Sequence, residues 1–350
     1  MTLSRRAASL AKPVAVFSAA VVAVAFMIGA AGYDVSGAAR AALDGAFGSG
    51  FAIVSATLKR TTPILMLGLA VAVAFRAGVL NIGADGQFLA GASAACALGL
   101  AVGSSAGGAV IVAEVVIGAI AGGCWAGIAA VLKRRFGVME VVSTLLLNFV
   151  AINLAGFLVR GPLQEPTGAY PQSGALDPVA RLPLLIRGQR LHIGFVLAIL
   201  LAAGLWWFFR NTAAGFRVRA TGASRTAAEA AGLIDVNLVQ FRALVVSGAI
   251  AGLAGACEVT GVTFALYEGL SPGYGYTAIA VALLGGLNPL GIVASATLFG
   301  ALGAGADAMQ RNADVPAEFS AVAAALVVLG MLALPGLSRL SDAITARRAA

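Results

Sequence analysis

Long apolar runs that carry almost no charge are the feature that most constrains this chain. The run 14–32 contains no charged residue and is long enough to cross a bilayer core of about 30 Å. Hydrophobic residues make up 60% of the chain and charged residues only 11%, whereas a soluble domain carries about 25% charged residues. Such a chain cannot cover itself with polar groups, so lipid is the solvent that fits. We predict a polytopic membrane protein.

The spans are predicted to be helices rather than strands. A membrane barrel would show segments of about ten residues with alternating polarity, but the apolar runs here are unbroken, and the 45 glycines suit close helix packing in lipid. We therefore predict an all-α fold with about ten transmembrane helices, some of them short or broken. The candidate spans are 14–32, 61–76, 86–104, 107–132, 138–159, 191–209, 237–258, 274–288, 290–306 and 316–334.

The distribution of Lys and Arg predicts that both termini face the cytoplasm, since basic residues are in excess on that side of the spans. The predicted organisation is a cytoplasmic N-terminus (1–13), a transmembrane domain (14–335) and a cytoplasmic tail (336–350). Within the domain lie an outer loop (160–190), whose prolines argue against one long helix, and an inner segment (210–236). A cleaved signal peptide is the alternative interpretation of 14–32, because Arg5, Arg6 and Lys12 precede it.

Residues 75–87, FRAGVLNIGADGQ, interrupt the apolar pattern between two spans. Asn81, Asp85 and Gln87 are polar at or near bilayer depth, and the glycines of this stretch permit unusual backbone geometry. Irregular backbone is tolerated there only where protein buries it or where it lines a watery cavity. Two interpretations stay open: a broken helix that lines a translocation path, and a tight cytoplasmic turn in which Asp85 caps the next helix.

Residues 268–277, EGLSPGYGYT, form a second break just before a span. Pro272 lies there among glycines, and Tyr274 and Tyr276 follow. Helix breaks at corresponding places in two halves of a chain point to a transport site. The alternative is a plain extracellular loop whose tyrosines belong to the interfacial aromatic belt.

The inner segment 210–236 is predicted to contain a short surface helix. Its stretch 224–231 is rich in helix formers and lies between two glycines. Such a helix suits the groove of a soluble partner, while a solvated loop that follows the positive-inside rule is the alternative. The candidate coupling residues are Gly222, Ala228, Glu229, Ala231 and Gly232.

No enzyme signature occurs in the sequence. None of Lys12, Lys59 and Lys133 follows a glycine, so the phosphate loop G-x-x-x-x-G-K-[ST] is absent, as are a G-x-S-x-G elbow and an H-E-x-x-H motif. The cysteines form no C-x-x-C pair and there is one histidine, so we expect no catalytic residue, no metal site and no cofactor in this chain. The basic residues lie at helix ends. This position favours a role in orienting the chain in the membrane over a role in binding nucleic acid.

An ion-coupled secondary carrier of a small polar solute is the rival interpretation. Such a carrier needs acidic side chains near the middle of the bilayer. Glu114 lies inside an apolar run and Asp85 lies in the first break, so both are candidates for that role.

Three stretches carry a resemblance to a known family: TPILMLGLAVAVAFRAGVLNIGADGQFLAGA (62–92), VVSTLLLNFVA (141–151), and RATGASRTAAEAAGLIDVNLVQFRALVVSGAIAGLAGA (219–256) followed by GYGYTAIAVALLGGLNP (273–289). The chain resembles permease subunits of bacterial ABC importers for ribose and other sugars, branched-chain amino acids and nucleosides. It is most similar to the sugar and nucleoside branch that works with a basic-membrane-protein-type binding lipoprotein. The resemblance covers about 60–335, and NIGADGQ is typical of one of the two permease types in that branch.

The resemblance implies an importer in the bacterial inner membrane that moves a nucleoside or a simple sugar by alternating access. Its partners would be a second, dissimilar permease, ABC ATP-binding subunits that hold ATP and Mg and hydrolyse the nucleotide, and an external substrate-binding lipoprotein. Segment 219–232 matches the coupling region of the family. The candidate pathway or broken-helix residues are then Asn81, Asp85, Gln87, Asn148, Tyr274 and Tyr276.

Overall fold

The computed structural model describes residues 18–103, 107–232, 234–316 and, beyond these, 318, 319, 321, 322, 325, 326, 329 and 330. Two π-helical stretches, Ala52–Leu58 and Val259–Thr263, extend α3 at its start and α10 at its end. The helices are α1 (Ser18–Ala30), α2 (Val35–Phe47), α3 (Lys59–Arg76), α4 (Ala84–Val102), α5 (Ala109–Phe136), α6 (Glu140–Arg160), α7 (Gly194–Asn211), α8 (Ala213–Ala223), α9 (Arg225–Ala230), α10 (Val236–Glu258), α11 (Tyr274–Leu284) and α12 (Pro289–Ala313).

Within the described residues, seven helices are long and apolar enough to cross a membrane, and α1 and α11 are apolar but shorter. This confirms the prediction of a polytopic all-α membrane protein. The spanning helices are Ala52–Arg76, Ala84–Val102, Ala109–Phe136, Glu140–Arg160, Gly194–Asn211, Val236–Thr263 and Pro289–Ala313. The predicted termini 1–13 and 336–350, and much of the predicted span 316–334, lie outside the described residues.

Two details of the predicted spans need correction. The span expected at 61–76 begins at Ala52, because Lys59 and Arg60 interrupt the apolar run without interrupting the helix. The sequence prediction also missed α2, whose N-cap Asp34 accepts a hydrogen bond from the Ser36 amide. Its buried residues are alanines, which give too weak an apolar signal to mark a span.

The chain divides into two compact units, Met1–Thr57 with Ala301–Ala350, and Leu58–Gly300. In the first unit an apolar cluster joins α1, α2 and the end of α12 through Ile28, Ala41 and Met309. In the second unit α3 is the central helix, since every residue from Thr61 to Ala74 is buried. The candidate residues of the sequence analysis all lie in this second unit.

Glycines hold α4, α5 and α10 together at backbone contact distance. A Cβ added at Gly252 would lie 2.9 Å from the Gly122 nitrogen, and one at Gly122 would lie 2.7 Å from the Gly252 nitrogen. Gly91 of α4 meets the backbone of Gly252 in the same way. Because lipid supplies no hydrophobic drive between helices, such close van der Waals approach is a main source of helix association. We call Gly91, Gly118, Gly122, Gly248 and Gly252 the glycine seam.

Segment 161–193 lies against the end of α10 and contains no long helix, as its prolines predict. Its backbone follows the chain after α10: the Ser173 and Leu176 amides donate to the carbonyls of Leu266 and Phe264, both at 2.7 Å. His192, next to the last residue of the segment, is completely buried. This burial, with a smaller contribution from the charge of Lys59, lowers its pKa to about 4. The imidazole is therefore neutral at physiological pH.

Candidate translocation junction

The first break is a non-helical segment, 77–83, between α3 and α4. Side chains pair its irregular backbone: Asn81 Oδ1 accepts from the Gly83 amide at 2.9 Å, and Thr144 Oγ1 accepts from the Ile82 amide at 3.3 Å. Asn81 itself is fully buried. Buried backbone groups away from water must be paired inside the protein. The break meets this condition with side chains of its own segment and of α6.

Two amide side chains link this break to the neighbouring helices through hydrogen bonds. Asn81 Nδ2 donates to Gln87 Oε1 at 2.8 Å, and Gln87 Nε2 donates back to Asn81 Oδ1 at 3.0 Å. Asn81 Nδ2 also donates to Ser247 Oγ of α10 at 2.9 Å, and the Ser247 hydroxyl donates to the Ala70 carbonyl of α3 at 2.6 Å. These bonds connect α3, α4 and α10 through buried neutral groups. Loss of one partner would leave a buried polar group unpaired, which is costly.

Asn148 of α6 connects the first break with the second. Its Nδ2 donates to the Ile82 carbonyl at 2.9 Å and lies 3.3 Å from the Tyr276 hydroxyl of α11. Its Oδ1 accepts from the Gly86 amide at 2.8 Å, in the first turn of α4. A Cβ at Gly86 would lie 2.9 Å from the Asn148 Cα, so glycine is needed for this approach. Asn148 is completely buried.

Asp85 lies in the first turn of α4, but its carboxylate binds the start of α11. Asp85 Oδ1 accepts from the Ser271 hydroxyl at 2.6 Å and from the Gly275 amide at 2.9 Å. Ser271 Oγ in turn accepts from the Tyr274 amide at 3.1 Å. The sequence left open whether Asp85 caps its own helix; the hydrogen bonds show that it caps α11 instead. A carboxylate there also matches the positive end of the α11 dipole.

The Asn81 end of the first break lies deep within the helical unit. Ser247, which binds Asn81, is 11 residues beyond Val236 (247 − 236 = 11), or about 16 Å along α10 at 1.5 Å per residue. Since the continuous helix Val236–Thr263 has 28 residues, this contact lies near its middle.

From their meeting point α4 and α11 run towards opposite ends of the unit. Near the far end of α4, Cys96 Sγ lies 3.3 Å from Ser173 Oγ of segment 161–193. Just beyond α11, the Leu287 carbonyl accepts from Arg76 Nε at 2.8 Å, at the opposite end of α3. The 11 residues of α11 extend only about 16 Å, half of a bilayer core. Two helix N-termini therefore meet within the unit, the arrangement typical of discontinuous helices at transport sites.

The two tyrosines of the second break differ in environment. The Tyr274 ring packs edge-on against Phe88 of α4, with ring centroids 6.0 Å apart. Tyr276 lies on the outer face of α11 and is 43% exposed. Tyr276 is thus the predicted pathway residue that combines a bond inside the junction with an exposed surface. We use the name polar junction for Asn81, Asp85, Gln87, Asn148, Ser247, Ser271 and Tyr276.

Sequence reasoning missed several residues of this region. Ser271 is in the second break and was passed over in favour of the tyrosines, although a serine before a Pro-Gly pair is a typical capping residue. Ser247 and Thr144 lie within apolar helices and carry no local signal. Glu268 and Arg160 form an ion pair beside Gly156 of α6, at the edge of the second break. Their partnership joins residues distant in sequence, so no local pattern indicates it.

The acidic residues considered for ion coupling have different surroundings. The carboxylate of Asp85 accepts hydrogen bonds from Ser271 and from the Gly275 amide at the start of α11. Glu114 of α5 is fully buried beside Gly99 and Leu176, and neither of its carboxylate oxygens has a hydrogen-bond partner among the described residues. The same part of the chain contains no group of three His, Cys, Asp or Glu side chains that could hold a metal ion.

The segment predicted to couple to a partner forms two helices, α8 and α9. Ser224 Oγ accepts from the Ala227 amide at 3.2 Å and so caps α9, while Arg225 pairs with Glu229 at 2.9 Å. The sequence predicted a glycine at each end of the short helix. Only Gly232, which has a φ of 68°, lies at such an end. Gly222 instead lies within α8, where an added Cβ would lie 3.1 Å from the Gly78 nitrogen.

Only some of the residues predicted to couple to a partner are exposed in and after α9. Ala228 is 5% exposed and packs into its own chain, whereas Glu229 and Ala231 are exposed. Gly232 follows them on the surface. The surface presented by α9 and its C-cap therefore consists of Glu229, Ala231 and their exposed neighbours, without Ala228.

Residues 53–334 match the family model of the branched-chain amino acid transport system permease component. The chain is 35% identical over 93% of its length to the guanosine ABC transporter permease NupP of Bacillus subtilis, and covers 93% of that protein. It is 33% identical to the glucose permease TsgB13 of Haloferax volcanii, with 79% of this chain and 74% of the relative covered. For the nucleoside permease NupB of Lactococcus lactis, the identity is 29%, with coverage of 78% for each chain. No solved structure matches.

These matches include both helix breaks, α6 and the segment with α8 and α9, which are the regions on which the candidate site depends. The relatives are named as permease proteins of ABC transporters, which are transport components and not enzymes. The seven long apolar helices agree with a multi-pass protein of the inner membrane. The chain belongs to the family of branched-chain amino acid-type ABC transporter permease components.

Proposed function

We propose that this chain is one of two dissimilar permease subunits of an ATP-driven importer that moves a nucleoside inward by alternating access. The relatives named for guanosine and nucleosides support this substrate class, and a simple sugar is the second choice because of the glucose relative. The partners would be ABC ATP-binding subunits, which hold ATP and Mg, a second permease and an external binding lipoprotein. The phosphate loop missing from this sequence is then supplied by the ATP-binding subunits.

The observation that carries the proposal is the meeting of the α4 and α11 N-termini at Asp85. Helix N-termini present amide donors and positive dipole ends, and Asp85 neutralises that field locally. A neutral solute rich in hydroxyls and ring acceptors suits such a site better than a cation does. The half-exposed Tyr276 and the adjacent Asn148 mark the face along which we place the pathway.

A reconstitution experiment tests the importer against the ion-coupled carrier. The observation favouring a carrier is the unpaired buried carboxylate of Glu114. We expect proteoliposomes with the complete complex to take up labelled guanosine only with ATP and binding protein, and those with this chain alone to take up none. Uptake by this chain alone, driven by a proton or sodium gradient and lost in Glu114→Gln, would favour the carrier.

We place the coupling to ATP hydrolysis at the exposed surface formed by α9 and the residues that follow it. Ala231→Trp adds a large ring there, so we expect release of the ATP-binding subunits or ATP hydrolysis without uptake. The measurements are co-purification of those subunits and the ratio of hydrolysis to uptake. Ala169→Trp, on exposed segment 161–193, is the matched control and should leave the subunits attached. Normal coupling in Ala231→Trp would place the docking surface elsewhere.

The proposed orientation has α9 and both termini in the cytoplasm. In a background without the native cysteines, Ala169→Cys should react with a membrane-impermeant maleimide in intact cells. Ala227→Cys, on exposed α9, should react only after the membrane is opened. Reversed labelling would show that the orientation in the membrane is opposite to the proposed one. It would not affect the fold or the family.

A further inference from the structure

A cavity of about 320 Å³ lies where α5 ends and α6 begins, beside α9 and the first turns of α10. Lys133, Arg134 and Arg225 contribute cationic side chains to its wall, and Glu140 contributes a carboxylate. Val79 of the first break and Leu244 of α10 are buried apolar residues in its lining. The polar junction plays no part in this wall.

The charges of the cavity do not cancel. Lys133 Nζ pairs with Glu140 at 3.0 Å, and Arg225 pairs with Glu229 at 2.9 Å. Arg134 instead lies over the Phe241 ring, with its guanidinium carbon 5.8 Å from the ring centroid, and forms no ion pair with any carboxylate in the described part of the chain. One guanidinium is therefore left for an anion, and its planar donors suit phosphate oxygens.

Gln240 gives a second, independent sign of a ligand. Its side chain lines the cavity, is 6% exposed, and donates through Nε2 to the Ala77 carbonyl at 3.4 Å. Its Oε1 is buried and has no hydrogen-bond partner among the described residues. A buried acceptor without a partner is costly and uncommon in folded proteins. A ligand that brings a hydroxyl donor would satisfy it once the Gln240 amide turns into the cavity.

The position of the cavity indicates where that ligand comes from. α5 and α6 are both spanning helices, so their shared end lies at the surface of the bilayer. Phe136 and Met139, between the two helices, are 68% and 67% exposed and offer apolar surface beside the cavity. Basic pockets between transmembrane helices on the cytoplasmic side are typical binding places for anionic lipid head groups.

We propose that this cavity binds a phosphate ester with a free hydroxyl, namely the head group of an anionic phospholipid such as phosphatidylglycerol. The phosphate lies against Arg134 with Lys133 near it, and a head-group hydroxyl donates to Gln240 Oε1. The occupant would contact the first break through Val79 and α9 through Arg225, so it would join the pathway region to the proposed coupling helix. The binding does not depend on the transport substrate, but the choice of an anionic lipid as occupant rests on the proposed cytoplasmic location of α9.

Native mass spectrometry of the full-length chain in detergent tests the proposal. We expect wild type to retain one phosphatidylglycerol in preference to phosphatidylcholine, and Arg134→Gln to bind it about tenfold more weakly. Arg135→Gln is the matched control, because Arg135 is the next cation along the chain and does not line the cavity. Phosphatidylmethanol has the same charge without glycerol hydroxyls, so it should bind wild type more weakly than phosphatidylglycerol does. Gln240→Leu should abolish this difference.

Three results would contradict the proposed lipid site. Equal loss of binding in Arg134→Gln and Arg135→Gln would indicate general charge attraction and overturn the site. Saturation by soluble glycerol 3-phosphate, without preference for phosphatidylglycerol, would overturn the lipid as its source. Expulsion of the lipid when the ATP-binding subunits assemble would assign the cavity to an acidic group of that partner. Arg134 is exposed, so its variant is expected to fold even if Gln240→Leu does not.

Discussion

The glycine seam and the polar junction both fix α4 in the second unit, but by different forces. In the seam, Gly91 and Gly122 meet Gly252 backbone to backbone, with no side chain between them. In the junction, Asp85 and Asn148 hold α4 through hydrogen bonds to α11 and to the first break. The seam depends on shape alone, whereas the junction depends on particular polar atoms.

This difference separates assembly from transport. A seam with no space for one methyl group cannot move without separating helices, so it serves as the rigid part of the unit. Hydrogen bonds can be exchanged for bonds to water or solute at little net free energy if the site becomes wet. We therefore expect seam substitutions to reduce the amount of folded protein, and junction substitutions to reduce transport by folded protein.

Gly252→Ala should have the largest effect. The added Cβ would overlap the backbone of Gly118 and lie 2.8 Å from the Gly122 Cα, and overpacking of this kind costs about 1–3 kcal/mol. We expect the upper end of that range, because backbone atoms cannot rotate aside. The measurements are yield in size-exclusion chromatography and the melting temperature in detergent.

Gly204→Ala in α7 is the control for this substitution, since no atom lies within 4 Å of the added Cβ. It should fold as well as wild type. If Gly252→Ala matches Gly204→Ala in yield and melting temperature, the seam is less tightly packed than its contacts indicate.

Asp85→Ala should have the next largest effect, on uptake rather than on yield. It removes the acceptor for the Ser271 hydroxyl and the Gly275 amide. Hydrogen bonds to charged groups contribute about 1.5–3 kcal/mol, so uptake per assembled complex should fall about tenfold or more. Asp85→Asn keeps one oxygen acceptor and should lie between Asp85→Ala and wild type.

Asp44→Ala on the exposed face of α2 is the control for loss of an aspartate. ATP-dependent uptake is compared after normalisation to the assembled complex. Wild-type uptake by Asp85→Ala would mean that the cap is dispensable and that the junction is not part of the transport cycle.

Tyr276→Phe should have the smallest effect of this series. It removes one hydroxyl that lies 3.3 Å from Asn148 Nδ2, while Asn148 keeps its bond to the Ile82 carbonyl. A single neutral hydrogen bond contributes about 1 kcal/mol, so we expect a change in uptake of no more than about fivefold. A tenfold or greater rise in KM, with the maximal rate unchanged, would show that this hydroxyl contacts the solute, a larger role than the junction alone gives it.

Local sequence patterns predicted the two breaks but not their meeting. Glycine and proline disrupt helices wherever they occur, so 75–87 and 268–277 stand out in a single pass along the chain. The contact between Asp85 and Gly275 joins residues 190 positions apart. Such a pair depends on how whole helices pack, which no local window contains. The same reason explains why Ala228 was expected on the coupling surface and is buried instead.

By itself, the sequence determined that this chain lies in a membrane as a set of helices, with helix breaks between some of them. It could do so because the bilayer demands about 20 apolar residues per crossing and internally paired backbone, and both demands act on contiguous segments. The tertiary structure alone decided that the short helix α11 is capped by Asp85 of α4, and that glycines of three helices form one seam. These features depend on distances between segments far apart in the chain, where a single methyl group or carboxylate decides which surfaces can meet.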